Sequence, residues 1–143
     1  MSDKNSKKVL VVDDDDRIRL MCSELLSSYG FEVTEAAHGM DALDILEHAA
    51  FDLIVSDIHM PHLDGLRFYS KVIEDYAYLR NRFLFITSSA SSDLHGTFRR
   101  LGVKCLRKPF DSAEFLKESQ SIAGGGFMTS TETGNLTLRK SIA

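Results

Sequence analysis

The stretch FDLIVSDIHMPHLDG, residues 51–65, decides the fold predicted for this chain. Its apolar run at residues 53–55 is short and continuous, which is the pattern of a strand buried on both faces of a parallel sheet. Asp57 stands where that strand must end, and Pro61 and Gly65 mark a loop before the next helical pattern. The stretch therefore places a carboxylate at the carboxyl edge of a buried strand, where open α/β sheets bind their ligands.

Strand and helix patterns alternate on both sides of this stretch. Apolar or alternating runs predict four more strands, and apolar residues at helical spacing predict five helices. The predicted strands are residues 8–12, 31–34, the run that ends at Asp57, 83–86 and 103–107, and the predicted helices are 16–29, 39–48, 65–75, 93–101 and 111–121, with Asp16 and Asp111 as caps. All strands except the second are expected to be buried. The alternation predicts a doubly wound, five-stranded parallel sheet with five helices. Right-handed crossovers leave few topologies, of which the flavodoxin-like order 2-1-3-4-5 is favoured.

Length and composition limit the classes of protein. The 143 residues are 43% hydrophobic, which suits one folded domain. No run reaches the roughly 18 apolar residues of a membrane span, and the opening MSDKNSKK is too polar for a signal peptide, so a cytoplasmic location is expected. Cys22 and Cys105 lack the spacing of a disulfide framework or a zinc site and are expected to be buried. We expect a polar extension at 1–7, a domain at 8–122 and a mobile Gly/Ser/Thr-rich tail at 123–143. The initial methionine favours a free-standing protein over a segment of a longer one.

Charge is distributed unevenly along the chain. Residues 11–76 hold 15 acidic and 4 basic side chains, whereas residues 77–143 hold 5 acidic and 10 basic ones. The acidic half repels phosphate, and the basic half is either a partner surface or, more commonly for such runs, a solvated face. The stretch after residue 121 is too short for a DNA-binding fold, so no DNA-binding output domain is expected.

Chemically useful side chains end the strands that meet at one edge of the predicted sheet. Asp13 and Asp14 follow the first strand, Asp57 ends the third, Thr87 follows the fourth and Lys108 follows the fifth. Three clustered carboxylates repel one another, so they predict a hard divalent cation with oxygen ligands, and Mg²⁺ suits such a site best. A hydroxyl and an ammonium beside the cation are placed to hold phosphoryl oxygens. Asp57 is then a nucleophile that can carry phosphate as an acyl phosphate.

In combination, four motifs resemble the receiver domain of two-component response regulators over about residues 8–121. They are VLVVDDD, DLIVSDIHMPHLDG, FITSS and LRKPFD. The resemblance implies that Asp57 is the phosphoacceptor. It also implies that Mg²⁺ is held by Asp14, Asp57 and the backbone carbonyl of His59, with Asp13 acting through a water on the metal. Thr87 and Lys108 would bind the phosphoryl group. The Lys108-Pro109 bond would be cis.

The same resemblance implies the partners. A sensor histidine kinase or a phosphotransfer protein is expected to supply the phosphoryl group from a phosphohistidine. The output is expected to be changed binding of a downstream protein near the fourth helix and the fifth strand, or onward relay of the phosphate.

One position departs from the family pattern, and two others are expected to set the rate at which water removes the phosphoryl group. Cys105 stands where the family usually has Tyr or Phe, so the signal is expected to pass through the 87–92 loop and the helix that follows it. His59 and Ser89 flank the expected phosphoryl group, and neither is an amide or an acid suited to orient an attacking water. Slow self-dephosphorylation is therefore expected.

Other functions remain as alternatives. An adaptor that works without phosphorylation needs none of this chemistry. A phosphohydrolase with Asp57 as nucleophile usually needs an acid two residues later, where this chain has His59. A flavin or nucleotide binder on the same fold needs a Ser/Thr/Gly phosphate cradle after the first strand, where four aspartates stand instead. A zinc site at His59 and His62 is less favoured than surface histidines beside a hard-oxygen site.

Overall fold

The structure is a computed structural model that describes residues 6–88 and 92–124, without the side chains of residues 92 and 93. Five strands alternate with five α-helices, and a short 3₁₀ helix follows the third. The strands are β1 (Lys8–Val12), β2 (Glu32–Ala36), β3 (Leu53–Asp57), β4 (Phe83–Thr87) and β5 (Lys104–Arg107). The helices are α1 (Asp16–Ser28), α2 (Gly39–Leu46), α3 (Gly65–Asp75), α4 (Ser92–Leu101) and α5 (Ser112–Ala123), and the 3₁₀ helix is Ala77–Leu79.

The strands form one parallel sheet in the order β2-β1-β3-β4-β5, which confirms the predicted order. In the ladder Val12 lies opposite Ser56 of β3, Asp57 lies opposite Ile86, and Thr87 lies opposite Arg107. This register brings the carboxyl ends of β1, β3, β4 and β5 to the same edge of the sheet.

Each face of the sheet carries its own apolar layer. One layer packs strand residues such as Leu10, Ile54 and Phe85 against α2, α3 and α4. The other packs residues one position along the strands, such as Val11 and Val55, against α1 and α5. Because both faces are covered, all five residues of β3 are buried, which explains the continuous apolar run at residues 53–55.

The expectation of four buried strands is wrong for β5. This strand lies at the edge of the sheet and has one neighbour, and the side chains of Lys104 and Arg107 at its two ends are exposed. Charged side chains on an edge strand discourage pairing with another chain. Of the two cysteines expected to be buried, Cys22 is, whereas Cys105 on this edge strand is only half-buried.

Several element ends differ from the predicted ones. The helix α1 is capped by Asp15 rather than Asp16, because the Asp15 carboxylate accepts hydrogen bonds from the backbone N–H groups of residues 17 and 18. Asp111 occupies the cap position of α5, but within the described residues its side chain makes no capping hydrogen bond. The edge strand β2 begins and ends later than predicted.

Of the tail predicted at residues 123–143, only the first two residues lie in the described part of the chain. Ala123 ends α5, and Gly124 has a φ of 76°, a left-handed conformation that commonly follows a helix. Within residues 6–88 and 92–124, no helix combines the length and apolar character needed to cross a bilayer.

Candidate functional site

The end of β1 places Asp13 inside the protein and Asp14 at its surface. The backbone N–H of Asp13 donates to the carbonyl of Ala36 at 3.2 Å, which extends the β1–β2 ladder by one step. The Asp13 carboxylate is fully buried and accepts a hydrogen bond of 2.9 Å from the backbone N–H of Asp15. Strand pairing therefore directs Asp13 inward, while the next residue, Asp14, is exposed at the mouth of the site.

The end of β3 is held by the start of α3. Asp57 is the last residue of the strand, is 5% exposed, and accepts a 2.8 Å hydrogen bond on Oδ1 from the backbone N–H of Ile58. The N–H of Gly65 donates to the carbonyl of Ile58 at 2.7 Å. A Cβ at Gly65 would lie 2.8 Å from the Cα of Ile58 and closer still to the carbonyl oxygen of Asp57, so this close approach requires glycine.

Lys108 connects the two buried carboxylates. Its Nζ lies 3.3 Å from Oδ2 of Asp13 and 3.4 Å from Oδ1 of Asp57. Its backbone N–H donates to the carbonyl of Thr87 at 2.7 Å, and the bond to Pro109 is cis, as the resemblance implied. Burial disfavours the charge of Lys108, but the carboxylates of Asp13 and Asp57 outweigh burial and raise the pKa of this ammonium above its usual range.

One cation does not balance the three carboxylates. Oxygen atoms of Asp13, Asp14 and Asp57 all lie within 4.8 Å of one another. Burial is the largest cause that raises the pKa of Asp13, to about 6, and the negative charge of Asp57 raises it further. The hydrogen bond from the Asp15 N–H and the positive charge of Lys108 lower this pKa, but they do not cancel the rise. Carboxylate oxygens that carry an excess of negative charge are the ligands that a divalent ion such as Mg²⁺ prefers. The residues present therefore fit Mg²⁺.

We call Asp13, Asp14, Asp57 and Lys108 the acidic site. Thr87 ends the neighbouring strand β4 and is 4% exposed. His59 follows Asp57 by two residues and is exposed in the β3–α3 loop. The remaining residue predicted to flank a phosphoryl group, Ser89, lies outside the described residues.

The described residues do not support a zinc site. In that part of the chain, the group of side chains close enough to share a metal ion consists of Asp13, Asp14 and Asp57, without His59 or His62. His62 shows a different feature, a φ of 68° at the centre of a turn in which the N–H of Leu63 donates to the carbonyl of Pro61.

Arg19 supports the site although no sequence pattern predicts it. Its guanidinium donates to the backbone carbonyl of Asp13 at 2.7 Å, so it supports the acidic site from α1. Arg19 stands among other charged residues at the start of a helix, and no local pattern separates it from Arg17, which is exposed.

Comparison with known proteins extends these observations. Residues 9–120 match the family model described as the response regulator receiver domain. Sporulation initiation phosphotransferase F of Bacillus subtilis is 31% identical over 112 residues, which are 76% of this chain and 87% of that protein.

Two solved structures share the fold. The chemotaxis response regulator CheY4 of Vibrio cholerae superposes with a TM-score of 0.74 at 34% identity, over 82% of this chain and 99% of that one. The receiver domain of a sensor histidine kinase from Pseudomonas aeruginosa, solved with a magnesium ion coordinated in its active-site cleft, superposes with a TM-score of 0.74 at 26% identity, over 84% of this chain and 99% of that one.

The family match spans most of the chain, and it coincides with a 2-1-3-4-5 parallel sheet that carries three clustered aspartates and a lysine at its carboxyl edge. The chain therefore belongs to the response regulator receiver domain family of two-component signalling proteins.

Proposed function

We propose that this receiver domain accepts a phosphoryl group on Asp57 from the phosphohistidine of a partner, in a reaction that requires Mg²⁺. The observation that carries the proposal is the arrangement of Lys108, whose Nζ lies within 3.4 Å of both buried carboxylates in a cluster of three. The partner is a sensor histidine kinase or a phosphotransfer protein, and the similarity to a sporulation phosphotransferase supports a place in a phosphorelay.

The residues that would hold Mg²⁺ are Asp14, Asp57 and the backbone carbonyl of His59, with Asp13 acting through a water. The ion, when bound, neutralises the carboxylates and the oxygens of the incoming phosphoryl group. The raised pKa of Asp13 supports this assignment, because burial and the charge of Asp57 disfavour the ionised carboxylate and Lys108 does not compensate for them.

In the proposed transfer, a carboxylate oxygen of Asp57 forms a bond to phosphorus as the phosphorus–nitrogen bond of the phosphohistidine breaks. The bonding electron pair stays on the departing nitrogen, and the imidazole leaves neutral because its other ring nitrogen carries a proton. The products are an acyl phosphate on Asp57 and a free histidine. The protein contributes in-line positioning and compensation of charge more than covalent chemistry.

Lys108 and Thr87 are assigned to the transferred group. The ammonium of Lys108 exchanges its contact with Asp57 for a phosphoryl oxygen, with which it makes a charge-assisted hydrogen bond. The hydroxyl of Thr87 binds another phosphoryl oxygen. The position of Thr87 supports this role, since it ends β4 beside the end of β3 and its carbonyl accepts a hydrogen bond from Lys108.

The proposed output is a changed protein-binding surface around α4 and β5. The side chain at position 105 is a half-buried cysteine, so a rotating aromatic ring there does not carry the signal. Phe98 of α4 stacks on Phe85 of β4 with ring centroids 5.3 Å apart. This contact supports a route from Thr87 through β4 to α4.

The test is intact mass after incubation with a small phosphodonor such as acetyl phosphate, with and without Mg²⁺. We expect one phosphoryl adduct on the wild type in the presence of Mg²⁺ and none on folded Asp57→Ala. The variant Asp44→Asn, which changes an exposed aspartate on α2, is the matched control and is expected to keep the adduct. A folded wild type that gains no adduct under any condition would refute the proposal and favour a phosphorylation-independent adaptor.

We further propose that the phosphorylated form is long-lived. His59 is exposed next to the phosphoacceptor and, as an imidazole, is poorly suited to orient an attacking water. Decay of the adduct, followed by mass after removal of the phosphodonor, is expected to take minutes or longer. The variant His59→Asn, which supplies an amide at this position, is expected to shorten the lifetime. A half-life of seconds for the wild type would contradict this expectation.

A further inference from the structure

Arg19 lies one turn into α1 and touches three separate parts of the protein. Its Nη1 donates to the backbone carbonyl of Asp13 at 2.7 Å, its Nη2 to Oδ1 of Asp16 at 2.7 Å, and its Nε to Oε1 of Glu35 at 3.1 Å. Only 17% of the side chain is exposed. The planar guanidinium presents its donors in a fixed fork, so these three contacts set one orientation.

The contact with Asp13 falls on the peptide unit that joins the two aspartates after β1. That carbonyl belongs to the same rigid plane as the N–H of Asp14, so its direction is linked to the direction in which Asp14 leaves the strand. On the other side of Asp13, the backbone N–H is held by the carbonyl of Ala36. Glu35, which precedes Ala36 on β2, holds the guanidinium. Arg19 and β2 therefore hold the peptide bonds on both sides of Asp13.

We propose that Arg19 is a positioning residue for the Mg²⁺ site, which it serves by fixing the Asp13–Asp14 peptide and so the separation of the carboxylates of the acidic site. This inference rests on the proposed Mg²⁺-dependent function. The hydrogen bonds of Arg19 within the described residues go to the Asp13 carbonyl, Asp16 and Glu35 rather than to the carboxylates of the acidic site, so it acts through the backbone between Asp13 and Asp14. Loss of a partner that orients a metal ligand typically weakens metal binding by about 10- to 100-fold.

Charge and positioning predict opposite results when Arg19 is removed. Removal of a cation near a cation-binding site strengthens metal binding by electrostatics alone. Loss of the hydrogen bond to the Asp13 carbonyl weakens it. Arg17 provides the matched control, because it lies two residues away on the same helix but its side chain is 91% exposed and its Nε is 4.0 Å from Oδ1 of Asp15.

The experiment measures Mg²⁺ affinity by calorimetry, without phosphodonor, for the wild type, Arg19→Ala, Arg19→Lys and Arg17→Ala. We expect about a tenfold loss of affinity for Arg19→Ala. A smaller loss is expected for Arg19→Lys, which keeps the charge without the fork. Unchanged or slightly tighter binding is expected for Arg17→Ala. Arg19→Lys also covers the case in which Arg19→Ala fails to fold.

A second readout separates positioning from general damage. With acetyl phosphate as donor, the Mg²⁺ concentration for half-maximal phosphorylation of Arg19→Ala is expected to rise by the same factor, while the final yield at saturating Mg²⁺ stays near that of the wild type. Suppose that the wild type binds Mg²⁺ and forms the adduct. Mg²⁺ binding by folded Arg19→Ala or Arg19→Lys that is as tight as in the wild type, or tighter, would then overturn this inference alone. A wild type that binds no Mg²⁺ would overturn both this inference and the proposed function.

Discussion

Single residues near Asp57 hold the β3–α3 loop in a shape that few other side chains permit. Gly65 meets the backbone of residues 57 and 58 so closely that a Cβ has no room. His62 adopts a φ of 68° inside a three-residue turn closed by the 2.7 Å hydrogen bond from Leu63 to Pro61. Such turns are uncommon and strained for residues with a Cβ. Exchanging glycine and a residue with a Cβ at these two positions therefore tests the shape of the loop.

Gly65→Ala is expected to destabilise the fold by about 1–3 kcal/mol, because the added methyl group forces apart two stretches of backbone. The end of β3 moves with it, so the rate of Mg²⁺-dependent phosphorylation is also expected to fall. Urea unfolding and intact mass measure the two effects. Gly96→Ala is the control: its Cβ would meet only the side chain of Arg100, at 3.5 Å, and alanine in this helix is expected to add about 0.5–1 kcal/mol. Equal effects of the two substitutions would contradict the close approach at Gly65.

His62→Gly is expected to stabilise the protein. Relief of a left-handed conformation contributes about 1–2 kcal/mol, and the added freedom of the unfolded chain takes back about 0.5–1 kcal/mol. The net gain is about 0–1.5 kcal/mol in urea unfolding, centred on about 0.75 kcal/mol. The control is His48→Gly, at an exposed turn residue whose φ is not positive. This variant is expected to lose about 0.5–1 kcal/mol of stability, because glycine adds freedom to the unfolded chain without relieving a strained φ. A loss of stability in His62→Gly would show that the turn carries no strain.

At the scale of the elements, α4 is held to the core chiefly by one buried side chain, beside the partly buried Leu94. Among residues 94–101, Phe98 has the only buried side chain, and it stacks on Phe85 of β4. Phe85 in turn contacts Tyr69 of α3 edge-on, with ring centroids 5.9 Å apart. An element held by so few apolar contacts opens more easily than the rest of a domain, which suits the change proposed for this surface on phosphorylation.

Phe98→Ala is therefore expected to act locally as well as globally. Truncation of a buried Phe costs about 3–5 kcal/mol, and we expect the lower end because α4 lies at the surface. Hydrogen exchange is expected to show larger losses of protection in α4 than in α1 or α5. Leu101→Ala, at a residue that is 39% exposed on the same helix, is the control and is expected to change little. Uniform loss of protection across all helices would show that α4 is not a separate unit.

For the molecule as a whole, burial of the Asp13 carboxylate makes stability depend on pH. The folded-state pKa of Asp13 is about 6, against 3.8 in the unfolded chain, so the folded state binds this proton more tightly. The stability contributed by the proton is present at acidic pH and is lost as the pH rises through about 6. The ionised Asp13 therefore costs stability at neutral pH without Mg²⁺, whereas the raised pKa of Lys108 contributes stability there.

Without Mg²⁺, the wild type is expected to gain about 1 kcal/mol between pH 7.5 and pH 5.5 relative to Asp13→Asn, which has no such proton to bind. Comparison of the two proteins removes the contributions of the five histidines, which they share. Saturating Mg²⁺ is expected to abolish the difference, because bound metal stabilises the ionised site at neutral pH. Urea unfolding at the two pH values measures the effect, and parallel pH profiles without Mg²⁺ would contradict it.

Much of this molecule follows from local patterns in the chain. The five strands and the five helices follow from periodicity and turn residues. The favoured strand order, one of the few that right-handed crossovers allow, then brings Asp13, Asp14, Asp57 and Lys108 to one edge of the sheet. These features depend on neighbours in sequence or on rules common to all doubly wound sheets. The predicted ends of the elements are less accurate, as at β2 and at the cap of α1. At α1 the reason is that several adjacent acids can each fill the cap position.

What the tertiary structure alone decided depends on contacts between residues far apart in the chain. The exposure of β5 follows from its place at the edge of the sheet, although its sequence reads as a buried strand. The distance of 3.3 Å between Lys108 and Asp13, the close approach of Gly65 to Asp57 and the three contacts of Arg19 have no local signature. Short-range patterns record which face of an element is apolar, whereas the position of a charge relative to another charge is set only when the elements pack.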